Sequence, residues 1–243
     1  MQCFLKFSDY LLKLFLNYFF PQRCLICYCF IQNDMPGLCP DCWLKINFIT
    51  LPMCQRCGRP LPYDCGDNII CIKCYYNAPN YNILRALLIF NENSKSLIYA
   101  FKYYDRSSVA CVLAQLLYTR YKHEIAIADY IIPVPIHKIK RLLRGYNQTQ
   151  ILGKYLSNIS KLPLRSDILL KHKWTKSQTS LTKKNRAKNI KGSFKVCKPQ
   201  ELKNKKVILL DDVITTGATI DVCTKLLKES GVQNITVLCV AST

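Results

Sequence analysis

Beyond residue 80 the apolar positions follow two alternating spacings. Largely apolar runs at 83–90 (ILRALLIF), 129–134 (DYIIPV), 206–211 and 234–240 (NITVLCV) predict buried strands, with a shorter strand expected at 166–170. Between them apolar residues recur every three or four positions. Val109, Val112, Leu113, Leu116 and Leu117 make one face of a helix over 107–122. Residues 94–103 (opened by Ser94), 146–159 and 217–230 (closed by Gly231) predict three more helices. This alternation predicts an α/β fold, a mostly parallel sheet with helices on both faces. Residues 171–192 are polar and carry no apolar period.

The front third reads differently. Residues 3–20 (CFLKFSDYLLKLFLNYFF) are apolar, but Lys6, Asp9, Lys13 and Asn17 interrupt them. A bilayer span needs roughly 20 apolar residues, and the stretch has no basic leader or small-residue cleavage site. It is expected to be an amphipathic helix, in a unit over 1–22, stopped by Pro21, with no stable membrane span. A cytoplasmic location follows as the expectation. The fifteen cysteines of the 243 residues then read as metal ligands rather than disulfides. Four Cys-x-x-Cys pairs fall within residues 24–74: Cys24/Cys27, Cys39/Cys42, Cys54/Cys57 and Cys71/Cys74. Each pair sets two thiolates on one tight knuckle, and two knuckles close a tetrahedral structural zinc site. Sequential and interleaved pairings both remain open, as do one or two zinc ions. Cys29 and Cys65 stand out of register and are read as bystanders. A double zinc-ribbon-like module is expected over 23–78 and the α/β domain over 79–243.

Chemistry concentrates where the run Val207–Leu210 ends in Asp211 and Asp212, followed by Thr215, Thr216, Gly217, Ala218 and Thr219 and then a helix. In open α/β sheets ligands bind in the crevice at the carboxyl ends of the strands. A helix N-terminus favours phosphate, and a glycine lets the backbone approach it. Adjacent strand residues point to opposite faces, so both carboxylates are expected to face the crevice only where the strand ends and the chain turns. Two acids for a vicinal diol beside a phosphate cradle describe a ribose 5-phosphate site. None of the eight glycines completes a P-loop or a G-x-G-x-x-G fingerprint.

VILLDDVITTGAT resembles the phosphoribosyl-pyrophosphate (PRPP) signature of type I phosphoribosyltransferases. PVPIHKIKRLLRGYNQTQILG (133–153) is similar to a block of the ComF family of competence and DNA-uptake proteins, with Tyr146 where that family has Phe. KWTKSQTSLTKKNRAKNIKGSF (173–194) is similar to another, through Thr175, Gln178, Leu181, Arg186, Asn189, Gly192 and Phe194. The resemblance covers nearly the whole chain, and the cysteine ribbons are also a ComF feature. It implies a type I phosphoribosyltransferase-like sheet behind the ribbons. It implies that Asp211 and Asp212, the catalytic candidates, bind the ribose hydroxyls, and that Thr215, Thr216, Gly217, Ala218 and Thr219 take the 5-phosphate. Pro135 and His137 would approach the pyrophosphate with magnesium, and Lys102, Arg141 and Arg144 would supply positive charge. The implied reaction displaces pyrophosphate from the anomeric carbon by a nitrogen nucleophile. Two departures stand out: no glycine lies near Asp105-Arg106, and Lys171 and Lys173 stand where arginine is common in the family. The two cations are not equivalent toward phosphate.

The net charge of +20 calls for an anionic partner. Residues 130–200 hold seventeen Lys/Arg against one acid, Asp167. Lys138, Arg144, Lys173, Trp174, Lys183, Lys184 and Arg186 are candidate contacts for single-stranded DNA, combining cations for the backbone with an aromatic ring for bases. Two readings therefore stand: a phosphoribosyltransferase of DNA uptake or nucleoside metabolism, and a non-catalytic protein that binds PRPP and single-stranded DNA and contacts DNA-uptake machinery.

Overall fold

A computed structural model describes residues 22–31, 37–63, 66, 68–103, 106–137, 142, 145–173 and 192–243. The expected N-terminal helix over 1–22 lies outside the described residues save for Gln22, and Cys65 lies outside them too.

Four parallel strands form the central sheet: β1 (Ile83–Ile89), β2 (Tyr130–Pro133), β5 (Lys206–Ile214) and β6 (Asn234–Ser242), in the order β1-β6-β5-β2. Their residues alternate between two cores. Ile131, Ile208, Leu210, Leu238 and Val240 face one side, where α3 (Glu92–Tyr103), α4 (Arg106–Ala126) and α5 (Gln148–Ser160) pack through Leu97, Phe101, Leu113, Leu117, Leu152 and Leu156. Ile132, Val207, Leu209, Ile235 and Val237 face the other, beneath α6 (Ala218–Glu229) with Ile220, Cys223 and Leu227. Burial on both faces explains why these strands read as largely apolar runs. Each fully buried Leu or Ile contributes about 1.5–3 kcal/mol.

Three details depart from the sequence expectation. The run at 166–170 yields β3 (Leu169–Lys171), which pairs antiparallel with β4 (Phe194–Val196) in a separate two-stranded sheet. The helix over 107–122 extends to Ala126 through a kink at Tyr121, whose hydroxyl donates to the Ala86 carbonyl at 2.6 Å. Strand β5 does not end at Asp211 but continues to Ile214.

The cysteine module lies along the free edge of β1. It contains two short helices, α1 (Pro40–Lys45) and α2 (Ile72–Tyr76). Leu84 N–H donates to Arg56 O at 2.7 Å, Ile89 N–H to Asn47 O at 2.9 Å, and Ile49 N–H to Leu87 O at 2.8 Å. An uncovered edge would present these groups to other chains. Arg85, only 5% exposed, ties the Cys54/Cys57 knuckle down by donating to Gln55 O at 2.9 Å and Gln55 Oε1 at 3.2 Å, while its Nε lies 3.4 Å from Glu124.

Gly58 lets the knuckle approach this closely. Its φ is +64°, and a Cβ there would sit 2.6 Å from the Leu84 carbonyl oxygen. Gly58→Ala is therefore expected to destabilise the fold by about 2 kcal/mol or more, combining left-handed strain of roughly 1–2 kcal/mol with the clash. Urea unfolding checks this: a midpoint equal to wild type would contradict the docking.

Candidate functional site

Strand β5 outruns its neighbour. Strand β2 ends at Pro133, opposite Leu210, and Val134 N–H closes the ladder on Leu210 O at 2.8 Å. Beyond that point the side of β5 once covered by β2 is open. Asp211 and Asp212 fall there, and the expected turn after Asp211 does not occur, because pairing with β6 continues through Ile214 opposite Ser242. The carboxylates fold onto the strand instead. Asp211 Oδ1 accepts from Asp212 N–H at 2.9 Å, and Asp212 Oδ1 from Val213 N–H at 2.7 Å.

The two acids occupy different surroundings. Burial pushes the Asp211 carboxyl well above the usual carboxylate range, and the neighbouring Asp212 charge adds to it. Asp212 meets Lys102 of α3, whose Nζ lies 3.2 Å from Oδ2, with both side chains about a quarter exposed. Lys102 is held in turn. Its carbonyl accepts from the Tyr146 hydroxyl and from Gln148 Nε2, the latter at 3.4 Å.

The loop from Thr215 to Gly217 joins β5 to α6. Gly217 is the N-cap of the helix, in the left-handed region at φ +78°, and a Cβ there would meet nothing within 4 Å. The N–H groups of a helix N-terminus attract anions. Asp211 and the stretch 213–220, Thr215, Thr216, Ala218 and Thr219 included, line one small recess of about 30 Å³. The structure thus brings Lys102, Asp211, Asp212 and the 215–219 loop to one end of the sheet.

After β2 the chain passes Pro135 and the largely buried His137. Its path is fixed from α5: Asn147 Nδ2 donates to Val134 O at 3.2 Å, and the Thr149 hydroxyl lies 3.1 Å from the same oxygen. Sequence reasoning missed these positioning roles of Asn147, Gln148 and Thr149. A run of three polar residues opening a helix and buried together is the signal that points to them. A larger cavity of about 530 Å³ adjoins the loop. It lies between the second ribbon (Lys73, Asn77, Tyr81) and Ile214, Gly217 and Asp221.

Lys138, Arg141, Arg144, Trp174, Lys183, Lys184 and Arg186 lie outside the described residues, and Lys173 is exposed.

The thiols form two clusters. Cys54, Cys57, Cys71 and Cys74 lie with all sulfurs within 4.8 Å of one another, as the sequential pairing expects. Burial opposes thiolate formation at Cys54, yet backbone N–H groups of Cys57, Cys71 and Arg56 outweigh it and draw the thiol down to about 7. In the other cluster Cys24, Cys27 and Cys39 are joined by Cys29, whose sulfur is 3.3 Å from that of Cys27. Cys29 is therefore no bystander, because the turn after Cys27 aims it back at the cluster. Four converging thiols suit zinc, with sulfur ligands at about 2.3 Å.

Residues 15–75 match the double zinc ribbon domain, and residues 152–243 match the phosphoribosyl transferase domain. The two Cys-rich sites fit such a double ribbon, and the parallel sheet with its helices belongs to the transferase-type domain. The chain is 32% identical to competence protein F of Haemophilus influenzae, over 90% of this chain and 96% of that protein. It is 25% identical to DNA utilization protein YhgH of Escherichia coli (strain K12), over 92% and 98%. It is 23% identical to competence protein ComFC of Bacillus subtilis, over 83% and 82%. No described helix is long and apolar enough to cross a membrane.

Proposed function

Because the chain belongs to the competence protein F family, we propose that it binds PRPP with magnesium at the carboxyl end of β5 and serves DNA uptake. The observation that carries this is that Asp211 lines the same recess as the Thr215–Thr219 loop at the N-terminus of α6, with Asp212 next to it in β5. Asp211 and Asp212 take the ribose 2- and 3-hydroxyls, and Thr215, Thr216, Gly217, Ala218 and Thr219 take the 5-phosphate. Pro135 and His137 border the pyrophosphate, with Lys102, Arg141 and Arg144 as its cations. Magnesium neutralises pyrophosphate charge when bound and, as a hard ion, keeps mainly phosphate oxygens and water as ligands. Lys102 pairs with Asp212 and turns toward the entering anion. The protein acts in the cytoplasm, beside the DNA-uptake machinery.

Transfer of the phosphoribosyl group to a nitrogen acceptor, with release of pyrophosphate, is the enzymatic form of this reading. The net charge of +20 and the names of the relatives favour a second function, single-stranded DNA binding, through Lys138, Arg144, Lys173, Trp174, Lys183, Lys184 and Arg186. One experiment separates them. Calorimetric titration with PRPP and magnesium is expected to show one site per chain, and a nucleobase panel then reads pyrophosphate release. Binding with no release across the panel makes the protein a PRPP-dependent DNA binder, and no PRPP binding removes the proposal. Single-stranded DNA affinity is expected to fall steeply between 50 and 200 mM salt, on the order of tenfold or more, as contacts release counterions. A flat response would exclude backbone contacts.

A further inference from the structure

The two ribbons repeat one knuckle. Cys24 N–H donates to Cys29 O at 2.8 Å and Tyr28 N–H to Cys24 O at 2.9 Å. In the second ribbon Cys54 N–H donates to Arg59 O at 2.8 Å and Gly58 N–H to Cys54 O at 2.9 Å. Antiparallel bridges Arg23–Phe30 and Met53–Pro60 close the two turns. Tyr28 and Gly58 take the same left-handed conformation, with φ of 60° and 64°. Cys29 therefore stands where the second ribbon has Arg59. Among the described residues the second ribbon gathers four thiols, and the first gathers Cys24, Cys27, Cys29 and Cys39. A fifth, Cys42, stands on the same knuckle as Cys39, and its N–H donates to Cys39 Sγ at 3.4 Å.

A tetrahedral zinc takes four thiolates, spaced about 3.8 Å apart for bonds of about 2.3 Å. The Cys27–Cys29 and Cys27–Cys39 sulfur separations, 3.3 and 3.6 Å, are close to this spacing. Cys29 reaches the cluster from the exposed side and Cys42 from the buried side. We propose that the first ribbon holds zinc by three constant ligands, Cys24, Cys27 and Cys39, and that Cys29 and Cys42 alternate as the fourth. One thiol beside the metal is then always spare, and it is a modification site for thiol-reactive electrophiles. Among the described residues the second ribbon, with Arg59 in that position, offers no such thiol. Exchange needs no net chemistry: one zinc–sulfur bond forms as another breaks, and the proton passes from the incoming thiol to the outgoing thiolate.

The test uses the full chain purified with zinc, with metal content and maleimide labelling of the peptide containing Cys24–Cys42 as readouts. Wild type is expected to hold two zinc ions and to label rapidly at one thiol of that peptide. Cys29→Ser and Cys42→Ser each keep two ions and lose the rapid label, while the double variant keeps one. Cys74→Ser made together with Cys65→Ser, which leaves the second ribbon three thiols, drops to one ion. Retention of the second ribbon's zinc and label protection in the variant lacking Cys29 and Cys42 shows that the rest is folded. Loss of an ion from either single variant makes that cysteine an obligate ligand and overturns the proposal. Rapid labelling of no thiol in the wild-type peptide, or of several, overturns it as well.

Discussion

Asp211→Asn combined with Asp212→Asn is expected to reduce PRPP affinity by at least about 100-fold while leaving single-stranded DNA affinity within about twofold. Asparagine keeps the shape of aspartate but loses its charge. Hydrogen bonds to charged acceptors contribute about 1.5–3 kcal/mol each, and two of them correspond to a factor between about 10² and 10⁴. The fold is expected to survive. Burial, followed by the charge of Asp212, already opposes ionisation of Asp211, so a neutral side chain removes a strain rather than a support. What is lost is the 3.2 Å pair between Lys102 and Asp212, a partly exposed contact of small net value. Calorimetry with PRPP and magnesium, fluorescence anisotropy with labelled DNA, and a thermal melt decide the matter. Binding within threefold of wild type would remove the acids from the site. Joint loss of PRPP and DNA affinity would mean one shared surface.

Stripping the zinc under reducing conditions is expected to lower the melting temperature by about 10 °C and to release the edge of β1. Zinc contributes about 10–16 kcal/mol to isolated finger peptides. Here the ribbon is also docked through Arg85, Gln55 and the Leu84–Arg56 hydrogen bond, so part of its order survives. A loss of about 3–4 kcal/mol corresponds to roughly 10 °C in a chain of this size. Hydrogen exchange gives the location. The amides of Leu84 and Ile89, which donate to Arg56 and Asn47, exchange faster, while those inside β5 and β6 keep their protection. Unchanged protection at Leu84 and Ile89 in the metal-free chain would mean that the ribbon is held by packing and not by metal.

How much of this was visible in the sequence depended on whether the signal was local. The parallel strands and their helices were legible because two-faced burial writes itself as largely apolar runs, and one-faced burial as a 3.6-residue stripe. Strand β4 was not: three residues after a long polar stretch carry no period, and Phe194 finds its place only against β3 and α6. The length of β5 was misjudged because two acids look like a strand's end. They are tolerated inside β5 since each carboxylate accepts from the next backbone N–H and Lys102 pairs with Asp212. The loop ahead of α6 was plain from the small residues Thr215, Thr216 and Gly217. The support beneath it was not, since Tyr146, Asn147, Gln148 and Thr149 act on Lys102 and Val134 across 13 to 46 positions. Cys29 was set aside because spacing was read along the chain, whereas the left-handed turn at Tyr28 decides where its thiol points.

The strand order β1-β6-β5-β2 also bears on how the chain assembles. Strands β1 and β5 share no ladder, and β6 alone joins them. The seam is long-range: Ile235 N–H donates to the Asn82 side chain 153 positions away. Strand β6 emerges from the ribosome after β1, β2 and β5, so until then no strand ladder joins the ribbon-bearing edge to the ligand-bearing edge. Pairings this distant are slow to form because loop closure must precede the contacts that reward it. A nascent chain therefore completes its ribbons well before it owns a site, and the same late strand that closes the sheet also sets the end of β5 where the two acids lie.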